Sequence, residues 1–96
     1  MDPLDALGNA VRRAILRELR KGPLSVSDIA ERFPVSRPAV SRHLGSLRDA
    51  GLVQVRHRRR QSFYSIRPQG FIPVRKFIDD LWDTALARLE DLAKNG

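Results

Sequence analysis

The stretch SVSDIAERFPVSRPAVSRHLGSLRDAG, Ser25 to Gly51, is punctuated so closely that few folds can accommodate it. Ser25 followed by Asp28 has the layout of a capping box, with aspartate where glutamate is usual. It opens a short helix through Ile29, Ala30 and Phe33, which Pro34 closes. Ser36 caps the next helix, Pro38 falls in its first turn where a missing N–H does no harm, and Gly51 stands at the C′ position. Two helices therefore meet across a turn of about three residues.

The flanks extend this frame. Leu4, Leu7, Val11, Ala14, Ile15 and Leu19 recur at spacings of three and four, so residues 4–21 read as amphipathic helix, interrupted at Gly8-Asn9 and ended by Gly22-Pro23. After Gly51 the apolar period falls to two. LVQVRHR and SFYSI alternate, and the linking RRRQ contains no apolar residue, which predicts a hairpin over 52–67 with a basic tip. Pro68-Gln69-Gly70 is a turn, and a long amphipathic helix follows over 71–94, with Pro73 tolerated near its start. The predicted order is α-α-α-α-β-β-α in one domain over residues 1–96: mainly α with a small β-hairpin, a winged helix-turn-helix.

Charge is the second constraint. Residues 36–67 carry eight arginines against the single acid Asp49, whereas residues 1–35 carry six basic and five acidic side chains, and residues 68–96 four and five. The formal charge of +7 is thus concentrated in one third of the chain, the pattern of a nucleic-acid face and less often of an anionic membrane face. On a wheel of about 100° per residue, Val40, Leu44 and Leu47 share one side of the helix after Ser36. Pro38, Ser41, Arg42, Gly45 and Asp49 lie opposite, with Arg37, Arg48 and His43 on the flanks. Small residues and arginines on such a face suit entry into a major groove, where Arg pairs with guanine. Ser36 and the free N–H groups of the first turn suit phosphate. Arg56, Arg58, Arg59 and Arg60 crowd the hairpin tip with no acid among them, which favours a polyanion lying close by.

Other chemistries find little support. The chain has no cysteine, hence no thiolate metal site and no disulfide. His43 and His57 fall on different elements and cannot supply a metal's three or four ligands. Arg75 and Lys76 precede Asp79 and Asp80 by four, so i,i+4 pairing explains those carboxylates. No metal, cofactor or catalytic constellation is expected, and no enzyme. No run of about 18 apolar residues is present, and MDPLDALGNA lacks a secretion-signal layout, so we expect no membrane partner and a cytoplasmic, nucleoid-associated location.

LGNAVRRAILREL, SVSDIAERFPVSRPAVSRHLGSLRDAGLV and RRRQSFYSI together resemble the winged-helix repressors of the arsenical-resistance (ArsR) family over residues 4–94. The resemblance implies a homodimer joined through its first and last helices, operator DNA read by VSRPAVSRHLGSLRDAGLV, and a wing gripping the backbone. Ser36, Arg37, Pro38, Ser41, Arg42 and His43 would then sit at the DNA, with Arg58, Arg59 and Arg60 on the wing; Arg56 beside the tip joins them on charge alone. Arsenic- and cadmium-sensing members carry Cys-x-Cys where this chain has Ser25-Val26-Ser27, and zinc-sensing members place histidine and carboxylate ligands along the last helix, where this chain has no histidine. It therefore resembles the branch without metal ligands.

The last helix is too apolar for a lone surface helix. Phe71, Val74, Ile78, Leu81, Ala85, Leu89 and Leu92 form one stripe, which Phe77, Trp82, Leu86 and Ala93 widen. The expected dimer interface comprises Leu4, Leu7, Phe71, Val74, Phe77, Ile78, Leu81, Trp82, Ala85 and Leu89. The functional expectation is a sequence-specific regulator of double-stranded DNA, a homodimeric repressor, its own gene among the candidate targets. The alternative is a winged-helix interaction module whose basic face meets an acidic protein. The sequence names no effector ligand.

Overall fold

The computed structural model describes residues 1–95. It contains helices α1 (Pro3–Ala6) and α2 (Ala10–Leu19), a short strand β1 (Leu24–Ser25), helices α3 (Val26–Arg32) and α4 (Arg37–Asp49), strands β2 (Val53–Arg58) and β3 (Gln61–Ile66), a 3-10 turn at Pro68–Phe71, and helix α5 (Ile72–Asn95). Helix, hairpin and long terminal helix fall where the sequence pattern puts them.

The break at Gly8-Asn9 has a defined cause. The Asn9 side chain accepts from the Arg12 N–H at 3.0 Å and starts α2. Arg12 Nε then donates to the Ala6 carbonyl at 2.7 Å, and Arg13 Nη1 to the Leu7 carbonyl at 2.7 Å. Carbonyls that the end of a four-residue helix would leave free are thus taken up by the next helix.

At the start of α3 both halves of the capping box form. Ser25 Oγ accepts from the Asp28 N–H at 3.1 Å, and the Asp28 carboxylate accepts from the Ser25 N–H at 3.3 Å. Ser25 also belongs to β1, whose pairing with β3 (Leu24↔Tyr64, Ser25↔Phe63) completes a three-stranded antiparallel sheet in the order β1-β3-β2. This strand corrects the expected element order, which had no strand before the hairpin. Two residues show no periodicity, so only the pairing reveals it.

The core gathers Ile15, Leu19, Ile29, Val40, Leu44, Leu47, Leu52 and Val53, each at most 2 % exposed. Val53 pairs with Ile66 and Val55 with Tyr64, and Tyr64 and Ile66 turn inward to pack on this core. The alternation expected of SFYSI is realised.

The junction of α4, β2 and α5 is closely packed. Gly51 has φ +79°, beyond the easy reach of L side chains. Its carbonyl receives Arg67 Nη1 at 3.2 Å, and the Arg67 N–H donates to the Leu52 carbonyl at 3.0 Å. Gly70 is pressed against the same place: a Cβ built on it would fall 1.8 Å from the Gly51 carbonyl oxygen. Backbone cannot yield there, so Gly70→Ala should displace the root of α5. We expect a loss of about 2 kcal/mol, measured as a lower urea midpoint. Wild-type stability in that variant would show the contact to be dispensable.

Candidate nucleic-acid interface

Burial of Val40, Leu44 and Leu47 fixes the rotation of α4 and turns its other side to solvent. Ser36, Arg37, Pro38, Ser41 and Arg42 are all exposed there, as expected. Ser36 is the N-cap, its Oγ accepting from the Ala39 N–H at 3.2 Å. Pro38 occupies the first turn.

Two expected residues are more engaged than their sequence positions indicate. Arg37 donates from Nη2 to Ser27 Oγ on α3, so its guanidinium lies along the α3–α4 edge. Sequence reasoning gave Ser27 no function. His43, expected at the DNA from a flank of α4, is half-buried. Burial, followed by the charges of Arg12 and Arg42, holds its imidazole below the ordinary value of 6.5.

On the wing, Arg56, Arg58, Arg59 and Arg60 are all exposed. The register sets Arg56 opposite Phe63 and Arg58 opposite Gln61, so β2 and β3 are joined by a two-residue loop, Arg59-Arg60. Arg59 has φ +57° and is the one non-glycine among the described residues with positive φ. A positive value at the first loop position alone is the pattern of a type II′ turn, which ordinarily takes glycine there. An arginine is held in that place at some conformational cost. Arg56 and Arg58 also line, with Pro23, Gln54, Val55, Phe63 and Ser65, a shallow groove on the side of the sheet facing away from the core. His57 Nδ1 and Ser62 Oγ lie 2.8 Å apart across the hairpin, a contact the sequence did not suggest.

The ion pairs lie outside α4 and the wing. Among the described residues the ion pairs are Glu18 with Arg32 (2.7 Å) and Lys21 (3.3 Å), Arg75 with Asp79 (3.5 Å) and Lys76 with Asp80 (3.4 Å). None involves Arg37, Arg42, Arg48, Arg56, Arg58, Arg59, Arg60 or Arg67. Arg67 is committed to the Gly51 carbonyl. The other seven are exposed and without a counter-ion, spread over one helix face and the adjoining hairpin.

A helix-turn-helix domain model matches residues 7–56. An HTH-type transcriptional regulator of Mycobacterium tuberculosis is 43% identical over 81 residues, 84% of this chain and 76% of that protein. Other matched relatives carry the name repressor. A solved structure described as a possible transcriptional regulator for arsenical resistance superposes with a TM-score of 0.83 at 36% identity, covering 95% of each chain.

The chain belongs to the ArsR family of winged helix-turn-helix transcriptional regulators. The winged helix of Mycobacterium bovis, described as a homodimeric DNA-binding domain of a possible ArsR-family regulator, is 26% identical with a TM-score of 0.67, over 82% of this chain and 73% of that one. In ArsR-family terms α4 is the second helix of the helix-turn-helix, and β2–β3 is the wing. The position where the resemblance places a Cys-x-Cys pair in metal sensors is occupied here by a helix cap, with Ser25 buried and bonded to Asp28. No helix among the described residues is long and apolar enough to cross a membrane.

His43 supplies a pH prediction for this ArsR-family chain. A histidine whose folded value lies below its unfolded one binds fewer protons when folded, so stability falls as pH drops below about 6.5. Glu18, held below the ordinary carboxylate value by Arg32 and then Lys21, adds its loss only at lower pH. His43→Gln should flatten the urea midpoint between pH 7 and 5.5. An unchanged slope would show that another group carries it.

Proposed function

We propose that two copies of this DNA-binding regulator pair through α5 and α1 and bind a palindromic operator, repressing transcription by occluding it. The observation that carries the reading is the set of seven exposed, counter-ion-free arginines concentrated on α4 and the wing, with every ion pair among the described residues lying outside those elements. Ser36, Arg37 and Pro38 meet phosphate at the N-terminal end of α4. Ser41 and Arg42 face the groove with half-buried His43 at its flank, and Arg56, Arg58, Arg59 and Arg60 lie along the backbone. The site of action is the nucleoid.

Pairing is supported by what α5 leaves uncovered. Leu7, Phe71 and Val74 pack partly on the chain's own core, whereas Leu4, Phe77, Ile78, Leu81, Trp82 and Leu89 are exposed, with Trp82 59% and Leu89 57% accessible. Exposed Ala85 continues the same face. The molecule is 61 Å long but at most 27 Å across, so the outer turns of α5 run beyond the domain that could cover them. A continuous apolar face of this kind marks an interface. A two-fold axis along it would set two α4 helices one or more turns of DNA apart, about 34 Å or a multiple.

In a mobility-shift titration we expect a steep fall in affinity with salt, each phosphate contact adding about 0.9 to the log–log slope. Salt-insensitive or absent binding to the DNA upstream of the chain's own gene would count against the reading, and sedimentation with an acidic protein instead of DNA would favour the interaction-module alternative. Arg42→Ala should relax sequence choice, by about 1–3 kcal/mol at one base pair. Arg59→Ala should weaken all sequences alike; equal effects would refute that division. Leu81→Asp should convert dimer to monomer in sedimentation equilibrium, and a persistent dimer would place the interface elsewhere.

A further inference from the structure

Glycine in the interior of a helix lowers its stability relative to alanine, so a glycine held there calls for a reason. The described glycines other than Gly45 each show one inside the molecule. Gly22 and Gly51 have φ of +143° and +79°, a Cβ on Gly70 would meet backbone at 1.8 Å, and one on Gly8 would stand 3.1 Å from the Asp5 carbonyl oxygen. Gly45 differs. It lies within α4 (Arg37–Asp49), its φ is not positive, and a Cβ built on it would have no neighbour within 4 Å. Neither backbone conformation nor packing within the chain requires it.

Its surroundings say where the reason lies. Ser41 and Arg42 stand one turn before it, and Arg48 and Asp49 one turn after; all four are exposed. At i−4, i−3, i+3 and i+4 they border Gly45 on the face opposite Val40, Leu44 and Leu47. The open space over Gly45 is therefore the space that a groove floor would occupy.

We propose that Gly45 is a specificity-determining residue that sets how deeply α4 seats in the major groove: without a side chain there, Arg42 and Ser41 reach base edges, and a single methyl group would hold them off. This rests on the reading of α4 as the groove-entering helix. It separates folding from function, because one substitution should move the two in opposite directions.

The test compares wild type with Gly45→Ala in the full chain, using duplexes that wild type selects from a random pool and an unselected duplex of equal length. Alanine should raise the urea midpoint, since the folded-to-unfolded ratio gains about fivefold from helix propensity alone. Binding to the selected duplex should weaken about tenfold or more, the size of one lost bidentate base contact, while binding to the unselected duplex stays within about twofold. Undiminished binding of the selected duplex would overturn the inference, and so would a lowered urea midpoint, which would reveal an internal role for the glycine. Failure of the underlying reading looks different: wild type itself would then enrich no sequence from the pool, and the inference would fall with it.

Discussion

The anchoring of Val40, Leu44 and Leu47 beneath α4 is the contact on which everything outside depends. These side chains are fully buried at spacings of four and three, so they fix both the rotation and the depth of the helix against Ile15, Ile29 and Leu52. Once that side is locked, Ser41, Arg42 and Gly45 have one direction left to face. The apolar pattern thus determines the polar surface, and a slip of one residue in it would bury an arginine and expose a leucine.

The charged surface is arranged against the stability of the isolated domain. Seven exposed arginines without counter-ions repel one another weakly across water, and an ion pair on a surface like this one would contribute at most about 1 kcal/mol. Acids among them would stabilise little and would weaken attraction for a polyanion through each neutralised charge. The ion pairs among the described residues join the end of α2 to α3 and run along α5, and none includes a side chain of α4 or the wing. Pairing is spent on orientation there, and the wing is left bare. Arg59, in a left-handed turn position better suited to glycine, shows the same preference for charge over local comfort.

Most of the architecture was legible because it is written in short-range signals. Ser25/Asp28, Ser36, Pro38 and Gly51 each act within a few residues, and the fall in period after Gly51 marks the wing. What stayed hidden involves partners distant in sequence. The two-residue β1 exists only because β3 lies beside it. Gly70 reads as an ordinary turn glycine until Gly51 is brought against it. Ser27 gains a role only through Arg37 ten residues on, and the basic environment of His43 includes Arg12 on another helix. Leu7, Phe71 and Val74 carry the same apolar signature as Leu81 or Leu89, and periodicity does not separate the turns of α5 that the domain covers from those it leaves open.

That undivided stripe connects stability to assembly. A domain of this length buries a modest core, and here the core is confined to residues before α5, none of whose own residues is fully buried. The root of α5 is held by Gly70 against Gly51 and by Phe71 and Val74 on the core, while the apolar side chains of the turns beyond Phe77 are exposed. A partner that covers them stabilises the folded state in proportion to its concentration. In the proposed dimer it would also set the distance between two copies of α4 through the same helix. Groove spacing and folding stability in that proposed dimer draw on one apolar surface, and the junction of Gly51 and Gly70 at the root of α5 would fix its direction.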